Sequence, residues 1–238
     1  MEKPKYTYDD LPEIKPKVPV DVYRFIKEHL ALYDLVRANP NLIDIHTKKN
    51  DPRIPYPPRK YEVTYKVKSM VGINDDQSPV YGDTHRMEIV IPNDYPLQSA
   101  SCKMITKVWH PNIKFDGIGV GTICSSSPEF GTLFHLDELV VRIGEMLQYR
   151  RYHALFVEPW PEDAEVAKWV TNYGEVNGIV NKNLDPKIAI DDTPWKQYSE
   201  TEEEGPAFPD IDFFEKEPPA PPPPPKQTEQ DSDEITFL

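Results

Sequence analysis

With 238 residues and a formal charge of −13, the chain is long enough for one medium domain whose apolar core needs no covalent staples. From Glu200 onward twelve acidic residues stand against Lys216 and Lys226 alone, so the remainder is nearly balanced and offers no basic field to gather nucleic acid. Cys102 and Cys124 are too few for a disulfide framework or a zinc site, which sets a reducing, cytoplasmic compartment as the expectation, and no leader or bilayer-length apolar run suggests a membrane partner.

Residues 1–18 alternate proline with charge and are expected to form an extension that resists packing. From Pro19 the period becomes helical, with Val22, Phe25, Ile26, Leu30, Tyr33 and Val36 recurring at three and four until Asn39-Pro40 stops the run. Leu42 to Ile45 suits a first strand, and Pro52, Pro55, Pro57 and Pro58 impose an extended loop. Tyr61, Val63, Tyr65 and Val67 then alternate with polar residues, as do Met87, Ile89 and Ile91 after a turn at Asn74-Asp75-Asp76, and Cys102 to Met104 makes the next strand. Such alternation predicts an antiparallel sheet with one wet face. Helical spacing returns at Leu136, Leu139, Val140, Ile143 and Leu147, and again from Ala164 to Tyr173. The fold class is therefore α+β, with a domain over 19–183. Residues 184–238, acidic and rich in proline, are expected to be a flexible tail whose apolar end, Ile235-Thr236-Phe237-Leu238, reads as a docking peptide or a frayed terminus.

The chemistry concentrates between Tyr95 and Cys124. A cysteine is a good nucleophile near neutral pH and forms a thioester that stays reactive toward amines. Cys124 follows Gly117, Gly119 and Gly121, which suggests an exposed and mobile approach, whereas Cys102 lies within a strand pattern and is expected to be a small buried apolar residue.

Three words in order, Tyr95-Pro96, His110-Pro111-Asn112 and Gly121-Thr122-Ile123-Cys124, resemble the core of ubiquitin-conjugating (E2) enzymes. The resemblance covers roughly Pro19 to Asn177. It implies a UBC-like fold: an N-terminal helix, a four-stranded antiparallel meander and C-terminal helices. It implies that Cys124 accepts ubiquitin or a ubiquitin-like protein from an E1-like activating enzyme as a thioester and passes it to a lysine, with ATP used by the partner and no metal or organic cofactor. Asn112 would stabilise the charge that develops during aminolysis or brace the loop that does so, and His110 and Pro111 would be structural. Asp163 matches an acidic position that orients the incoming lysine, although a helix N-cap explains an aspartate there equally well. Arg24 and Lys27 on the first helix would face the activating enzyme. Leu97, with the loop Pro128 to Phe134, would face a ligase or substrate protein.

The sequence departs from the family where His110 and Cys124 stand fourteen residues apart, longer than usual, with the extra residues within Ile113 to Val120. Three serines follow Cys124, and no Pro-Pro pair follows Tyr95-Pro96. Such divergence is similar to E2-like proteins of bacterial ubiquitin-like conjugation operons, some linked to antiviral defence. Two alternatives remain open on the sequence. One is an inactive UBC-like module that binds a ubiquitin-like protein or ligase, and the other is a cysteine hydrolase pairing Cys124 with His135 or His153.

Overall fold

The structure is a computed structural model that describes residues 1–47, 56–124, 135–158, 160–181 and 190–196. The chain divides into a body, Met1–Tyr198, and a second unit, Ser199–Leu238, which lies outside the described residues together with the expectations placed on it. The expectations on Pro52, Pro55, the three serines after Cys124 and the loop Pro128 to Phe134 also lie outside them.

Two short helical turns and helix α1 (Leu11–Ile14) precede the 19-residue helix α2 (Val20–Ala38). Strand β1 (Ile43–Thr47) begins a four-stranded antiparallel sheet that continues through β2 (Lys60–Tyr65), β5 (His85–Val90) and β6 (Ser101–Met104) in the order β1-β2-β5-β6. The pairs Ile45–Val63, Val63–Met87 and Met87–Met104 lie across from one another, so the period of two seen in the sequence becomes a continuous apolar ladder on one face. That ladder packs in one core with Phe25, Leu32 and Leu35 of α2 and with Leu136, Val140 and Ile143 of α3 (Leu136–Leu147). The Tyr65 hydroxyl donates to the Val140 carbonyl at 3.0 Å, tying sheet to helix.

Between β2 and β5 the chain makes a separate hairpin, β3 (Ser69–Ile73) with β4 (Pro79–Gly82), turning at Asn74 to Ser78. The sequence marks the turn and hides the strands. One carries a glycine and the register shift beside it, and the other starts on proline and ends on glycine, all depleted in strands. After α3, helix α4 (Ala164–Trp169) runs into a single π-helical turn, Val170–Gly174. Val166, Ala167, Trp169 and Val170 form a second core with Met70, Trp109 and Tyr149.

Two boundaries differ from the sequence expectation. Leu11 and Ile14, three apart and hence on one face of a turn, are buried against Ile26 and Leu30 of α2, so the expected unpacked extension over 1–18 contributes a third small core. The expected start of the tail at 184 also moves. Residues 190–196 lie along the body, with the Trp195 ring buried against Tyr65 and its indole N–H donating to Gln148 Oε1 at 3.2 Å. Lys196 N–H and C=O pair with the Asn39 amide at 2.8 and 3.0 Å. A tryptophan buries more apolar area than any other side chain, and Gly144 of α3 leaves the space for it, since a Cβ there would overlap the ring. Composition alone reports the acidic, proline-rich average of that region and misses one anchor.

Candidate active site

The His110-Pro111-Asn112 segment leads directly into a hairpin that ends at Cys124. Cys124 N–H donates to Asn112 C=O at 2.9 Å, Ile113 and Ile123 face each other, and Lys114 N–H donates to Thr122 C=O at 2.8 Å. The register is antiparallel, 112 opposite 124 and 113 opposite 123, and then meets a bulge in which Gly121 and Thr122 both stand opposite Lys114, whose C=O accepts from Gly121 N–H at 2.8 Å. The extra residues of this segment therefore fall in the hairpin tip, and the backbones of Asn112 and Cys124 stay in direct contact. Ile113 and Ile123 point into the main core. By the two-residue alternation of a strand, Asn112, Lys114, Thr122 and Cys124 share the opposite face.

The glycine-bearing approach to Cys124 is exposed over residues 116–120, as expected, whereas Cys124 itself is 7% exposed and its N–H is part of the hairpin ladder. The glycines serve geometry. Gly117, Gly119 and Gly121 all have positive φ, and at Gly121 a Cβ would also overlap the Met104 carbonyl oxygen, which sits there because Met104 N–H donates to Gly121 C=O at 2.8 Å. Gly121→Ala is expected to cost at least about 1–3 kcal/mol from φ alone, with more from displacement of the hairpin. Gly117→Ala, whose Cβ meets nothing within 4 Å, should show the strain share only. Urea melts of the two variants against wild type measure the difference.

Cys102 is partly buried against the main core, and burial pushes its thiol up to about 12. Such a shift disfavours the thiolate, the nucleophilic form.

Asn112 spans the gap between the hairpin and the segment after α3. Its Oδ1 accepts from His153 N–H at 2.8 Å and its Nδ2 donates to His153 C=O at 3.3 Å. His110 is fully buried and both ring nitrogens are engaged: Nδ1 accepts from Asn112 N–H at 3.2 Å and Nε2 faces Arg151 C=O at 3.2 Å. Burial drives its pKa down to about 3, so the ring is neutral, with the proton on Nε2 as the Arg151 carbonyl requires. Pro111 C=O accepts from Asp163 N–H at 3.0 Å, which joins the start of α4 to the same segment.

Asp163 caps α4. Its Oδ1 accepts from Glu165 and Val166 N–H at 3.1 and 3.2 Å, while Oδ2 accepts from Phe115 N–H at 3.0 Å and holds the Lys114 ammonium at 3.2 Å. Burial alone would raise this carboxyl, but the N–H donors of Phe115 and Val166 and the Lys114 ammonium together outweigh it and keep the group below the ordinary carboxylate range. Lys114 and the Asp163 clamp were not marked from sequence. The hint was there in Ile113 and Ile123, equally apolar on either side of a glycine-rich tip.

Of the remaining candidates, His153 is tied to this cluster by its backbone bonds to Asn112. Leu97 is 79% exposed. Arg24 is half-buried, its Nε 3.4 Å from Glu28 and its guanidinium over the Tyr95 ring, so it is committed within the body; Lys27 is half-buried on the same helix. His135 faces Glu28 at 3.3 Å, and His153 Nε2 faces Val157 C=O at 3.3 Å. Among the described residues no cluster of side chains could hold a metal ion and no helix is long and apolar enough to cross a membrane.

A family model described as ubiquitin-conjugating enzyme matches residues 45–166, from β1 through the hairpin and Cys124 to the first turn of α4. The chain belongs to the ubiquitin-conjugating enzyme family. Its UBC-like α+β fold follows with that membership and with the observed order of helix, antiparallel meander and C-terminal helices. The chain is 32% identical over 132 residues to ubiquitin-conjugating enzyme E2 N of Drosophila melanogaster, covering 52% of this chain and 75% of that one. It is 30% identical over 105 residues to ubiquitin-conjugating enzyme E2 13 of Saccharomyces cerevisiae, covering 41% and 59%, and 38% identical over 100 residues to ubiquitin-conjugating enzyme E2 21 of Caenorhabditis elegans, covering 40% and 42%. It thus spans less than two thirds of the yeast and worm proteins. As a ubiquitin-conjugating enzyme family member the protein falls among transferases, and membership implies dealings with activating enzymes, ubiquitin-like proteins and ligases in general terms.

Proposed function

We propose that this protein is an E2-type acyl carrier: Cys124 receives the C-terminus of ubiquitin or a ubiquitin-like protein from an E1-like activating enzyme as a thioester and passes it to a lysine amine. The observation that supports this best is the hairpin register, which keeps Cys124 N–H on Asn112 C=O despite the longer tip. Asn112 holds the 153 segment against the hairpin through both ends of its amide, and the second Nδ2 proton is free in valence to meet an oxyanion on the thioester carbonyl. Asp163 already holds one ammonium on Oδ2 and would hold an acceptor amine the same way. Docking of the activating enzyme on α2 would use Lys27, with Arg24 shaping the surface while bound to Glu28. Leu97 would serve a ligase or acceptor protein.

The hydrolase alternative needs a histidine base at sulfur. His110 is neutral with both nitrogens engaged, His135 is held by Glu28, and His153 turns its Nε2 to Val157, so the carrier reading is the stronger. The likeness to bacterial defence operons is supported by the altered hairpin and its flanks alone, and neighbouring genes for an activating enzyme and a ubiquitin-like protein would establish it. The reaction itself is tested by pulse-chase. The charged protein, with the activating enzyme quenched, should lose its adduct faster in the presence of free lysine and yield a lysine conjugate. Asn112→Ala should slow that aminolysis by a factor on the order of 10². Decay at one rate with and without lysine would contradict transfer to amines.

A further inference from the structure

Helix α2 is covered on more than the side that faces the sheet. Phe25, Leu32 and Leu35 belong to the main core, whereas Val22, Ile26 and Leu30, each four residues from the next, form a second apolar stripe along the same helix. A helix that packs on a domain ordinarily leaves its outer face polar and wet. Here every residue from Val22 to Val36 is buried or half-buried. The cover over the second stripe is the chain's own N-terminal segment, with Leu11 and Ile14 buried against Ile26 and Leu30 and with Tyr6 and Val18 packed beside them. Lys5 N–H donates to the Tyr56 hydroxyl at 3.1 Å, and the Tyr6 ring meets the Tyr56 ring edge-on. The attachment is shallow. Helix α1 is four residues long and holds on through two buried side chains, Leu11 and Ile14. A segment with so few buried apolar side chains opens far more readily than the core beneath it.

We infer that residues 6–18 are a removable cover on α2, which an activating enzyme must lift in order to dock, so that the segment slows the charging of Cys124. The inference rests on the carrier reading above, in which α2 is the docking helix. A partner that grips Lys27 meets the cover at once. Tyr23, one turn before Lys27, and Leu30, one turn after it, both pack in the small core under the segment. With the segment in place α2 offers a narrow strip of half-buried side chains. Lifting it uncovers Ile26 and Leu30 beside a cation, an apolar anchor of the kind that carries binding energy in protein interfaces. Binding to a site that is open only part of the time is weakened by the open fraction. The printed contacts of the segment fall on α2 and Tyr56, and among the described residues none is with the hairpin of Cys124, so the later transfer from a charged Cys124 to an amine is left unaffected.

The test compares the full chain with two double variants. Leu11→Asp with Ile14→Asp puts two carboxylates into the small core and releases the segment; Leu11→Ala with Ile14→Ala loosens it more gently and carries the comparison if circular dichroism shows the first pair unfolded. Each protein, below saturation, is mixed with ubiquitin, ATP and a ubiquitin-activating enzyme, and the initial rate of thiol-labile adduct formation is read on a non-reducing gel. The charged protein is then discharged onto free lysine. With an open state populated to about 0.1–10%, full release should speed charging about tenfold or more, and the alanine pair should fall between. All three should discharge at one rate. Charging that is unchanged or slower in the folded variants overturns the inference and leaves the carrier reading standing, as does a discharge rate that rises along with charging. Absence of any thiol-labile adduct on all three beside a charged activating enzyme overturns both.

Discussion

Replacing Glu28 by alanine is expected to lower the free energy of unfolding by about 3–5 kcal/mol, the cost of breaking a buried charge pair from one side. The Glu28 side chain on α2 is fully buried. Its carboxylate accepts from the Tyr95 hydroxyl at 3.0 Å and from Leu136 N–H at 2.8 Å, and it lies 3.3 Å from His135 and 3.4 Å from Arg24. One side chain thereby ties α2 to the Tyr95-Pro96 turn and to the first N–H of α3, where an anion is also favoured by the helix dipole. Glu28→Gln keeps the volume and part of the hydrogen bonding, so it should lose less. Urea denaturation followed by circular dichroism measures both.

The same group sets a pH profile with two sides. Burial alone would raise the Glu28 carboxyl, but His135, the Leu136 N–H and Arg24 outweigh it and hold its pKa below the ordinary 4.5. That contribution is present above pH 4.5 and is lost as pH falls through the depressed folded value. His135 is raised above 6.5, chiefly by its bond to Glu28. Its contribution is complete below pH 6.5 and fades as pH rises through the raised folded value. Stability from this pair should therefore peak between pH 4.5 and 6.5, and the decline on the alkaline side should disappear in Glu28→Gln.

Glu28 could not be found from the sequence, because its partners other than Arg24 are remote: Tyr95, His135 and Leu136 are 67 or more residues away. The elements with strong periods were legible. Phe25, Ile26 and Leu30 gave α2, and Tyr61, Val63 and Tyr65 gave β2, since burial of one face leaves a period in the chain. The hairpin β3–β4 was not, as Pro79 and Gly82 weaken the strand pattern. Residues such as Leu11, Ile14 and Trp195 were lost for another reason. Each is an isolated apolar anchor inside a stretch whose average composition is charged or proline-rich. At the site, the residue types were readable and their pairing was not. A separation of fourteen residues from His110 to Cys124 looked like displacement, yet the register of Ile113 with Ile123 sends the surplus into the tip.

Cys124→Ala is expected to remove the carrier function completely, because no other described side chain on this face of the hairpin is a thiol, and the other cysteine, Cys102, is held protonated by burial with its pKa near 12. The substitution removes one sulfur from a position whose backbone bond to Asn112 survives, so the fold should be retained and loss of activity will not reflect unfolding. Cys102→Ala, on the sheet side, should charge as wild type does. The measurement that bears most directly on the account is intact mass and a non-reducing gel after mixing each form with ATP, a ubiquitin-activating enzyme and ubiquitin. The account predicts one thiol-labile ubiquitin on wild type and Cys102→Ala and none on Cys124→Ala; a thiol-labile adduct that survives in Cys124→Ala, or an uncharged wild type beside a charged activating enzyme, would contradict it.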